Sequence, residues 1–423
     1  MLADALGNTS TVKQTSLLCA TLLAACGGSG GSTSAAQQPP APVPHPQACS
    51  GTPASSPAGP PPSTPAGLHV SAGLRIETIA TIPGARELAF LPTGDLLVGS
   101  LGDTIAIVPN ADAAGNAGAA KTFATLPDSP AAGIAFNASA CAIYVGTQFG
   151  VYRINYKSGD LAASSPPQRI ASVRSGGGGG HVTTTLATTG NTLYASVGSS
   201  CNACVESDPT RATIQQMALD GSGMTPRATH IRNAVGLAIN PTTGTLWAGD
   251  AGQDDLPFGH PYEFLDAVGT HGGVPNYGWP DCEENHQNYG SGANCSTQTV
   301  PLVEFLAYQT IIGLAIVPAN NSGAFALPAQ YQGGAFVAMH GSWHQNGGVP
   351  VAPPRVAFVA LSGDTPATPV NWNDPTTQWH DVVSGFQAAS GSRIGRPTGL
   401  AIGPQGDLFI ADDQTGNIYR IRP

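Results

Sequence analysis

Charged residues are scarce in this sequence. Only 10% of its 423 residues are Asp, Glu, Lys or Arg, whereas an average globular domain carries roughly 25%. The 16 basic and 26 acidic residues give a net charge of −10, which argues against nucleic acid or an anionic membrane surface as a partner. Long apolar runs are lacking as well, because no segment reaches the roughly 18 apolar residues of a transmembrane helix.

Turn-forming residues, by contrast, are abundant. Glycine (54) and proline (37) make up about a fifth of the chain, more than a long helical protein would carry. Hydrophobic residues account for 41%, which is enough to build a core and excludes wholesale disorder. The composition therefore predicts an all-β, exported protein.

The N-terminus has the pattern of an export signal. Lys13 precedes the apolar run 16–25, which has the length of a signal-peptide core and is too short for a permanent membrane helix. The run ends in Leu23-Ala-Ala-Cys26-Gly27, which resembles the lipobox of bacterial lipoproteins, in which the cysteine is acylated. We predict a signal peptide over 1–26, lipidation at Cys26 and a periplasmic or outer-membrane location, with this anchor as the only membrane contact. The alternative is an ordinary cleaved signal with a chance cysteine.

Two further regions follow the leader. Residues 27–66 are mainly Gly, Ser, Ala, Pro and Gln, which cannot bury enough surface to offset their ordering entropy, so we predict a flexible tether. The folded domain is expected over 67–423. Six cysteines lie outside the leader, and an even number in an exported chain indicates disulfides. We expect Cys282 to pair with Cys295, and we favour a Cys201–Cys204 disulfide over a redox site or half a zinc knuckle.

A repeated hairpin pattern organises the predicted domain. Two short apolar strands around a Pro, Gly or Asn turn recur six times, beginning at Leu88, Ile134, Thr185, Gly236, Gly313 and Gly399. This predicts a six-bladed β-propeller with four-stranded antiparallel blades. The segment 74–80 is expected to be an outer strand that closes the ring against the last blade. A β-sandwich, the rival fold, would not explain six similar hairpins.

One histidine stands out among the loops. His181 follows five consecutive glycines and begins a predicted innermost strand, so it should point into the mouth of the central channel. A neutral imidazole near pH 7 is suited to act as a general base. The alternative is a histidine that only hydrogen-bonds its own loop.

Several motifs from His181 onward resemble one enzyme family. Arg232-Asn233-Ala-Val-Gly-Leu-Ala followed by Asn276-Tyr-Gly-Trp-Pro resembles the soluble quinoprotein dehydrogenases, which oxidise aldose sugars with pyrroloquinoline quinone (PQQ). His340-Gly-Ser-Trp343 and Arg396-Pro-Thr-Gly-Leu-Ala are most similar to the L-sorbosone dehydrogenase branch. The ordered combination carries the resemblance, because any one of these motifs alone is unspecific.

The resemblance implies an oxidoreductase with PQQ and Ca²⁺ as cofactors. His181 would take a proton from the sugar hydroxyl while hydride passes to the quinone, with Arg232 on the quinone oxygens and Asn233 beside it. Gly252 and Gln253 would offer backbone carbonyls to Ca²⁺, a hard cation that prefers oxygen ligands. The partners implied are a small sugar or aldehyde substrate and an electron acceptor such as a cytochrome or a quinone.

Four more residues complete the implied site. Arg393 and Arg396 would pair with the carboxylates of PQQ, for which bidentate arginine is well suited. His340 and Trp343 would shape the substrate pocket, with the indole stacking on a sugar ring; simple loop packing is the alternative.

The sequence also departs from the family. The lysine expected in blade five is missing from 339–344, and a glutamine expected in blade two is missing from 128–133. Weaker PQQ binding and a substrate other than glucose are therefore expected. Two other functions remain open: a metal-dependent propeller lactonase, for which Asp250, Asn233 and Glu87 are the available ligands, and a non-catalytic propeller that binds peptide or glycan.

Overall fold

The computed structural model describes residues 49, 55–175, 177–290 and 292–423. The predicted signal peptide, the lipidation site at Cys26 and most of the predicted tether lie outside these residues and stay predictions. No helix in the described part of the chain is long and apolar enough to span a bilayer.

Six four-stranded antiparallel sheets form the blades of a β-propeller, which confirms the predicted fold class. From the innermost strand outward, the blades are Ala85–Phe90, Leu96–Ser100, Thr104–Val108, Lys121–Thr125 (one); Gly133–Asn137, Ala142–Gly146, Gly150–Asn155, Gln168–Ser172 (two); Thr184–Thr189, Thr192–Val197, Thr213–Ala218, Thr225–Thr229 (three); Gly236–Ile239, Leu246–Asp250, Glu263–Asp266, Val303–Phe305 (four); Ile311–Ile316, Ala335–Met339, Arg355–Val359, Trp379–Ser384 (five); and Pro397–Ile402, Leu408–Asp412, Asn417–Arg422, Arg75–Thr81 (six).

Short elements decorate these sheets. The strand His69–Val70 extends the outer edge of blade five. The other described strands form three hairpins, in which each strand has two residues: Cys282–Glu283 with Gln287–Asn288, Gln345–Asn346 with Val349–Pro350, and Leu361–Ser362 with Thr365–Pro366. The described helices are three 3-10 helices at Val268–Thr270, Ala329–Tyr331 and Pro375–Gln378.

The ring is continuous around the central axis. The innermost strand of each blade contacts that of the next blade, and blade six contacts blade one. The six predicted hairpins are the first two strands of the six blades. In blade one, the tight turn needs Gly94, whose φ of +84° is unfavourable for other residues, and Asp95 accepts hydrogen bonds from Thr93 (2.6 Å) and from the backbone N–H of Asn110 (2.8 Å).

Blade six is built from both ends of the domain. Arg75–Thr81 pairs with Asn417–Arg422, which confirms the predicted ring-closing strand. The arginines of the C-terminal strand are buried: Arg420 pairs with Glu77 (2.8 Å) and Arg422 with Asp407 (2.6 Å). Both also donate to backbone carbonyls in the loop 111–115 of blade one, so the last strand fixes blade six to its neighbour.

Three disulfides are present among the described cysteines. The expected pairs Cys201–Cys204 and Cys282–Cys295 are confirmed, and Cys49 is bonded to Cys141 in the first hairpin turn of blade two. The described residues of the predicted tether therefore contact the propeller; for example, the N–H of Gly59 donates to the carbonyl of Ala117 (2.8 Å). The domain boundary at residue 67 stays a prediction.

Candidate active site

Two cavities open at opposite ends of the central axis. The larger, of about 570 Å³, lies where the innermost strands end, and the described residues lining it include no ionisable side chain. The smaller, of about 180 Å³, lies where the innermost strands begin, and it gathers six of the nine predicted site residues: His181, Arg232, Asn233, Gly252, Gln253 and Trp343. Because this cavity, unlike the larger one, combines a base, a cation and polar backbone, and because the predicted site residues meet there, it is the candidate active site.

His181 is held in one orientation by hydrogen bonds. Its Nδ1 lies 2.9 Å from Ser199 Oγ, and its backbone N–H donates to the Ser199 carbonyl (2.9 Å). The Ser199 hydroxyl has one hydrogen, which it donates to the carbonyl of Cys201 (2.7 Å). Ser199 must then accept from His181, so Nδ1 carries the imidazole proton and Nε2 keeps a free lone pair.

The environment keeps this imidazole neutral. Burial, and after it the positive charge of Arg232, lower the pKa of His181 from 6.5 to about 3. At neutral pH the ring is therefore uncharged, as the sequence predicted for a general base.

Arg232 is fixed almost completely by protein acceptors. Its side chain is buried, and it donates from Nε to the Asn202 carbonyl (3.0 Å) and from Nη1 to the Ala251 carbonyl (3.1 Å). Its Nη2 donates to Asn202 Oδ1 (2.9 Å) and to Asp254 Oδ2 (3.3 Å). A guanidinium has five N–H groups. One Nη1 hydrogen thus has no acceptor in the described part of the chain, and Arg232 can offer it to a ligand in the cavity.

The segment Gly252–Gln253 presents the features of a hard-cation site. Neither carbonyl accepts a hydrogen bond from any residue that the structure describes, although Gln253 is only 4% exposed. The side chain of Gln253 points away, donating to the Pro280 carbonyl (2.9 Å) and to Glu283 Oε1 (2.6 Å). At Gly252 a Cβ would lie 2.9 Å from Pro261 Cγ, so a side chain would crowd the segment.

Buried acids surround this segment. Glu263 lines the cavity and Glu283 lies next to Gln253, and burial is the main cause that raises the pKa of both carboxyls. Unpaired carbonyl oxygens are ligands that Ca²⁺ prefers, and the two acids would add carboxylate oxygens when they are deprotonated. The residues present therefore fit the predicted Ca²⁺ ion.

The predicted residues of blades five and six are arranged differently. His340, Arg393 and Arg396 do not line the cavity. Arg396 donates to the carbonyls of His340 (3.0 Å) and Gly341 (3.1 Å), and Arg393 donates to the carbonyl of Ser342. The two arginines thus hold the loop 340–342 by its backbone, and their pairing with cofactor carboxylates stays a prediction.

The imidazole of His340 is hydrogen-bonded to a residue outside the cavity. Its Nε2 lies 2.9 Å from Asp413 Oδ1, which also contacts Arg86 through Oδ2 (2.9 Å). Burial lowers the pKa of His340 to about 4, although Asp413 opposes this effect. His340 therefore belongs to a neutral, buried network behind the cavity.

Aromatic rings form the mouth of the cavity. The ring of His344 lies between Tyr308 and Trp343, with centroid distances of 4.1 and 4.0 Å. Its Nε2 is 3.7 Å from Asp254 Oδ1. Trp343 is 66% exposed, so one face of its indole is accessible to a flat or ring-shaped molecule.

Side chains close enough to bind a metal ion together also occur outside this cavity. Among the described residues, the one group of three His, Cys, Asp or Glu side chains close enough to share a metal ion is Cys201, Cys204 and Glu206. Its two cysteines are joined in a disulfide, which removes them as thiolate ligands. Asp250 and Glu87, which were named above for the lactonase alternative, are not part of this group.

Comparison with protein-family models shows to which family the chain belongs. The model described as TrAA12-like matches residues 68–423, which include every strand of the six blades. The chain belongs to the TrAA12-like family.

Solved structures similar to this TrAA12-like chain share its fold. The holo form of the pyranose dehydrogenase PQQ domain from Coprinopsis cinerea has a TM-score of 0.72 at 18% identity, covering 85% of this chain and 98% of that domain. The calcium structure of Carbohydrate-Active Enzymes Family AA12 from Trichoderma reesei has a TM-score of 0.69 at 22% identity, covering 87% and 98%. The apo form of the soluble aldose sugar dehydrogenase from Escherichia coli has a TM-score of 0.57 at 16% identity, covering 83% and 99%. At these identities the likeness shows the fold alone.

A curated relative matches a shorter stretch of the TrAA12-like chain. An uncharacterised protein of Borreliella burgdorferi is 25% identical over 195 residues, covering 45% of this chain and 47% of that protein. The chain thus spans about half the length of the curated relative that it matches.

Sequence reasoning missed six residues of the site described above: Ser199, Asn202, Asp254, Glu263, Glu283 and Tyr308. Three of them contact His181, Arg232 or both through side-chain hydrogen bonds. For Ser199 and Asn202 the sequence did contain a signal, the Cys201-x-x-Cys204 motif. A disulfide that closes so short a loop fixes the residues within it and beside it.

Proposed function

We propose that this chain is a PQQ- and Ca²⁺-dependent oxidoreductase that oxidises a sugar, a sugar aldehyde or a related alcohol, with His181 as the general base. One observation carries the proposal: the free Nε2 of His181, the spare N–H of Arg232 and the unpaired carbonyls of Gly252 and Gln253 share one small cavity. The names of the similar structures, a PQQ domain of pyranose dehydrogenase and an aldose sugar dehydrogenase, support it.

Each of these groups has a role in the proposed reaction. Gly252 and Gln253 would hold Ca²⁺, and Arg232 would hold an electron-rich oxygen of the cofactor with its spare N–H. Bound PQQ supplies the acceptor for a hydride, which no side chain can provide. His181 Nε2 accepts the proton of the substrate hydroxyl, and Ser199 keeps Nδ1 protonated so that Nε2 faces the substrate.

Ligand binding should also strengthen the base. Arg232 is the second cause of the low pKa of His181, after burial. An anionic ligand that neutralises the guanidinium would weaken this effect, so the pKa of His181 would rise toward the range in which a general base is effective.

The finer features of the proposal come from the sequence. We propose an exported enzyme, anchored through a lipid on Cys26, with a substrate of the L-sorbosone type rather than glucose. The exposed face of Trp343 is suited to stack on a sugar ring. Electrons would leave through an acceptor such as a cytochrome or a quinone.

A titration tests the proposal. Purified protein is mixed with PQQ in Ca²⁺ or in EGTA, and the absorbance of the quinone is followed as aldoses, sorbosone and simple alcohols are added. We expect binding that requires Ca²⁺, followed by quinone reduction with at least one of these substrates. Absence of PQQ binding in Ca²⁺ would overturn the proposal. Metal-dependent hydrolysis of lactones without PQQ would then support the lactonase, and binding of glycans or peptides alone would support a non-catalytic propeller.

A further inference from the structure

The Cys201–Cys204 loop lies beside both groups that the proposed reaction depends on. It follows the second strand of blade three, Thr192–Val197, at the end of the propeller that carries the cavity. The carbonyl of Cys201 accepts from Ser199 Oγ, and Ser199 in turn accepts from Nδ1 of His181. The first residue of the disulfide therefore determines which nitrogen of the imidazole is free.

The next residue of the loop fixes Arg232. The carbonyl of Asn202 accepts from Arg232 Nε (3.0 Å) and from Trp279 Nε1 (3.1 Å). Its side-chain oxygen accepts from Arg232 Nη2 (2.9 Å) and from the N–H of Asp254 (2.7 Å), while its Nδ2 donates to the carbonyl of Asp254 (2.9 Å). Asn202 thus ties the guanidinium to the segment that follows Gln253, and two of these bonds are to a charged group, which strengthens them.

Core packing does not account for this loop. Cys201 and Cys204 are only half-buried, Ala203 is exposed, and the neighbouring Val205 is 90% exposed. The described contacts of residues 201 and 202 are polar and run toward His181, Arg232, Trp279 and Asp254. A loop with so little apolar burial adds little hydrophobic stability.

We infer that the Cys201–Cys204 loop is a positioning element of the active site, which orients the His181 imidazole through Ser199 and the Arg232 guanidinium through Asn202. The disulfide closes a ring of four residues, which restricts the directions that the carbonyls of residues 201 and 202 can take. When the ring is opened, the loop gains conformational freedom, and both sets of hydrogen bonds must then be formed at an entropic cost. The importance of this element for catalysis rests on the proposed function, but its effect on the two side chains does not.

The first experiment opens the ring and observes His181 directly. The double variant C201A/C204A is compared with C49A/C141A. The control removes a disulfide of blade two that lies at the end of the propeller opposite to the cavity. Nitrogen-15 NMR of the histidine rings, in protein without PQQ, reports which ring nitrogen carries the proton; the His181 signal is assigned by its loss in His181→Gln. We expect the Nδ1-protonated ring in the parent protein and in C49A/C141A. In C201A/C204A we expect a mixture of the two tautomers.

The second experiment keeps the disulfide and changes Asn202. Asn202→Ala removes the oxygen that accepts from Arg232, whereas Asn202→Asp keeps an acceptor there. In Ca²⁺- and PQQ-loaded protein, kcat should fall about tenfold or more in Asn202→Ala, the scale expected for a lost hydrogen bond to a charged group, and should be largely restored in Asn202→Asp. The KM for the substrate should change little in either variant, because the loop holds the base and the arginine rather than the sugar.

The outcomes separate this inference from the proposed function. An unchanged His181 tautomer in C201A/C204A, or equal kcat in Asn202→Ala and the parent protein, would overturn the positioning role. If the parent protein shows no turnover with PQQ, the proposed function fails, yet the tautomer measurement still decides the role of the loop. If C201A/C204A does not fold while C49A/C141A does, the disulfide of the loop is required for stability. The kcat values of Asn202→Ala and Asn202→Asp then decide between a positioning role and a merely structural role.

Discussion

Two groups of residues, one on each side of the candidate site and each called a wall below, are held in different ways. On the base wall, formed by His181, Ser199, Asn202 and Arg232, nearly every polar hydrogen has a defined acceptor before any ligand binds. On the arginine wall, formed by Trp343 at the cavity and by His340, Arg393 and Arg396 outside it, the two arginines hold a loop by its carbonyls and the indole is mostly exposed. The groups that handle protons and charge are thus preorganised, which is the arrangement that stabilises a transition state. Trp343, at the mouth of the cavity, is less constrained, so a molecule that enters can contact its indole in more than one orientation.

The sharpest test of this contrast is His181→Gln. Glutamine can still hydrogen-bond Ser199 but cannot take a proton, so kcat should fall by about 10²- to 10⁴-fold, the usual contribution of a general base. PQQ binding and the melting temperature should be retained. The matched change on the arginine wall, His340→Gln, should lower kcat far less, because that ring contacts Asp413 and not the cavity. Equal losses in the two variants would remove the distinction between the walls.

A smaller effect is expected when an arginine is removed from each wall. Arg232→Met removes the donor of the Ala251 carbonyl, the ion pair with Asp254 and one of the two donors of the Asn202 carbonyl, so the free energy of unfolding should fall by about 3 kcal/mol. Arg393→Met removes bonds to the Ser342 carbonyl and Gln387 from a half-buried side chain and should cost about 1 kcal/mol. Urea unfolding of both variants measures the difference, and similar costs would show that the walls are equally constrained.

The two walls should also respond to pH with opposite signs. Glu87 lies behind the arginine wall, next to Arg86, and burial raises its pKa from 4.5 to about 8. The folded protein keeps a proton there that the unfolded chain releases, so Glu87 should make the protein less stable as the pH rises from about 4.5 to 8. His181 has a lowered pKa, so its contribution is present above 6.5 and is lost as the pH falls toward 3.

The slopes of stability against pH test these signs. One proton changes the unfolding free energy by at most about 1.4 kcal/mol per pH unit. Glu87→Gln should flatten the decline between pH 4.5 and 8, and His181→Gln should flatten the rise between pH 3 and 6.5. The prediction is wrong if either variant keeps the slope of the parent protein in its own range.

The fold was largely predictable because each hairpin carries two signals at once. Alternating apolar residues mark the strands, and turn residues such as Gly94 mark their ends, so six copies define six blades without any long-range information. The closing strand Arg75–Thr81 was predictable for a related reason, since a ring of blades needs a partner for its last sheet. The Cys49–Cys141 pair was not predicted, although the two expected pairs leave these cysteines over, because Cys49 lies in the stretch whose composition indicated a flexible tether.

The site was predictable only in part. His181, Arg232 and Gly252–Gln253 follow from motifs at the ends of strands, where the fold brings side chains to one cavity. The direction of Arg393 and Arg396 could not be predicted, because their acceptors lie about fifty residues earlier in the sequence. Asn202 was hidden for a similar reason: its importance comes from contacts with Arg232 and Asp254, which no local pattern encodes.

The ring-closing strand also has a consequence for how the protein is made. Asn417–Arg422 supplies the partner of Arg75–Thr81 and the arginines that bind blade one, and it is the last part of the domain to leave the ribosome. Until it emerges, Arg75–Thr81 is a strand without its partner, and its unpaired backbone groups are a target for proteases and for aggregation. A transcript with an early stop codon would therefore yield a chain that stays open, however well its first five blades fold. Ring closure thus depends on synthesis of the propeller domain through its last strand.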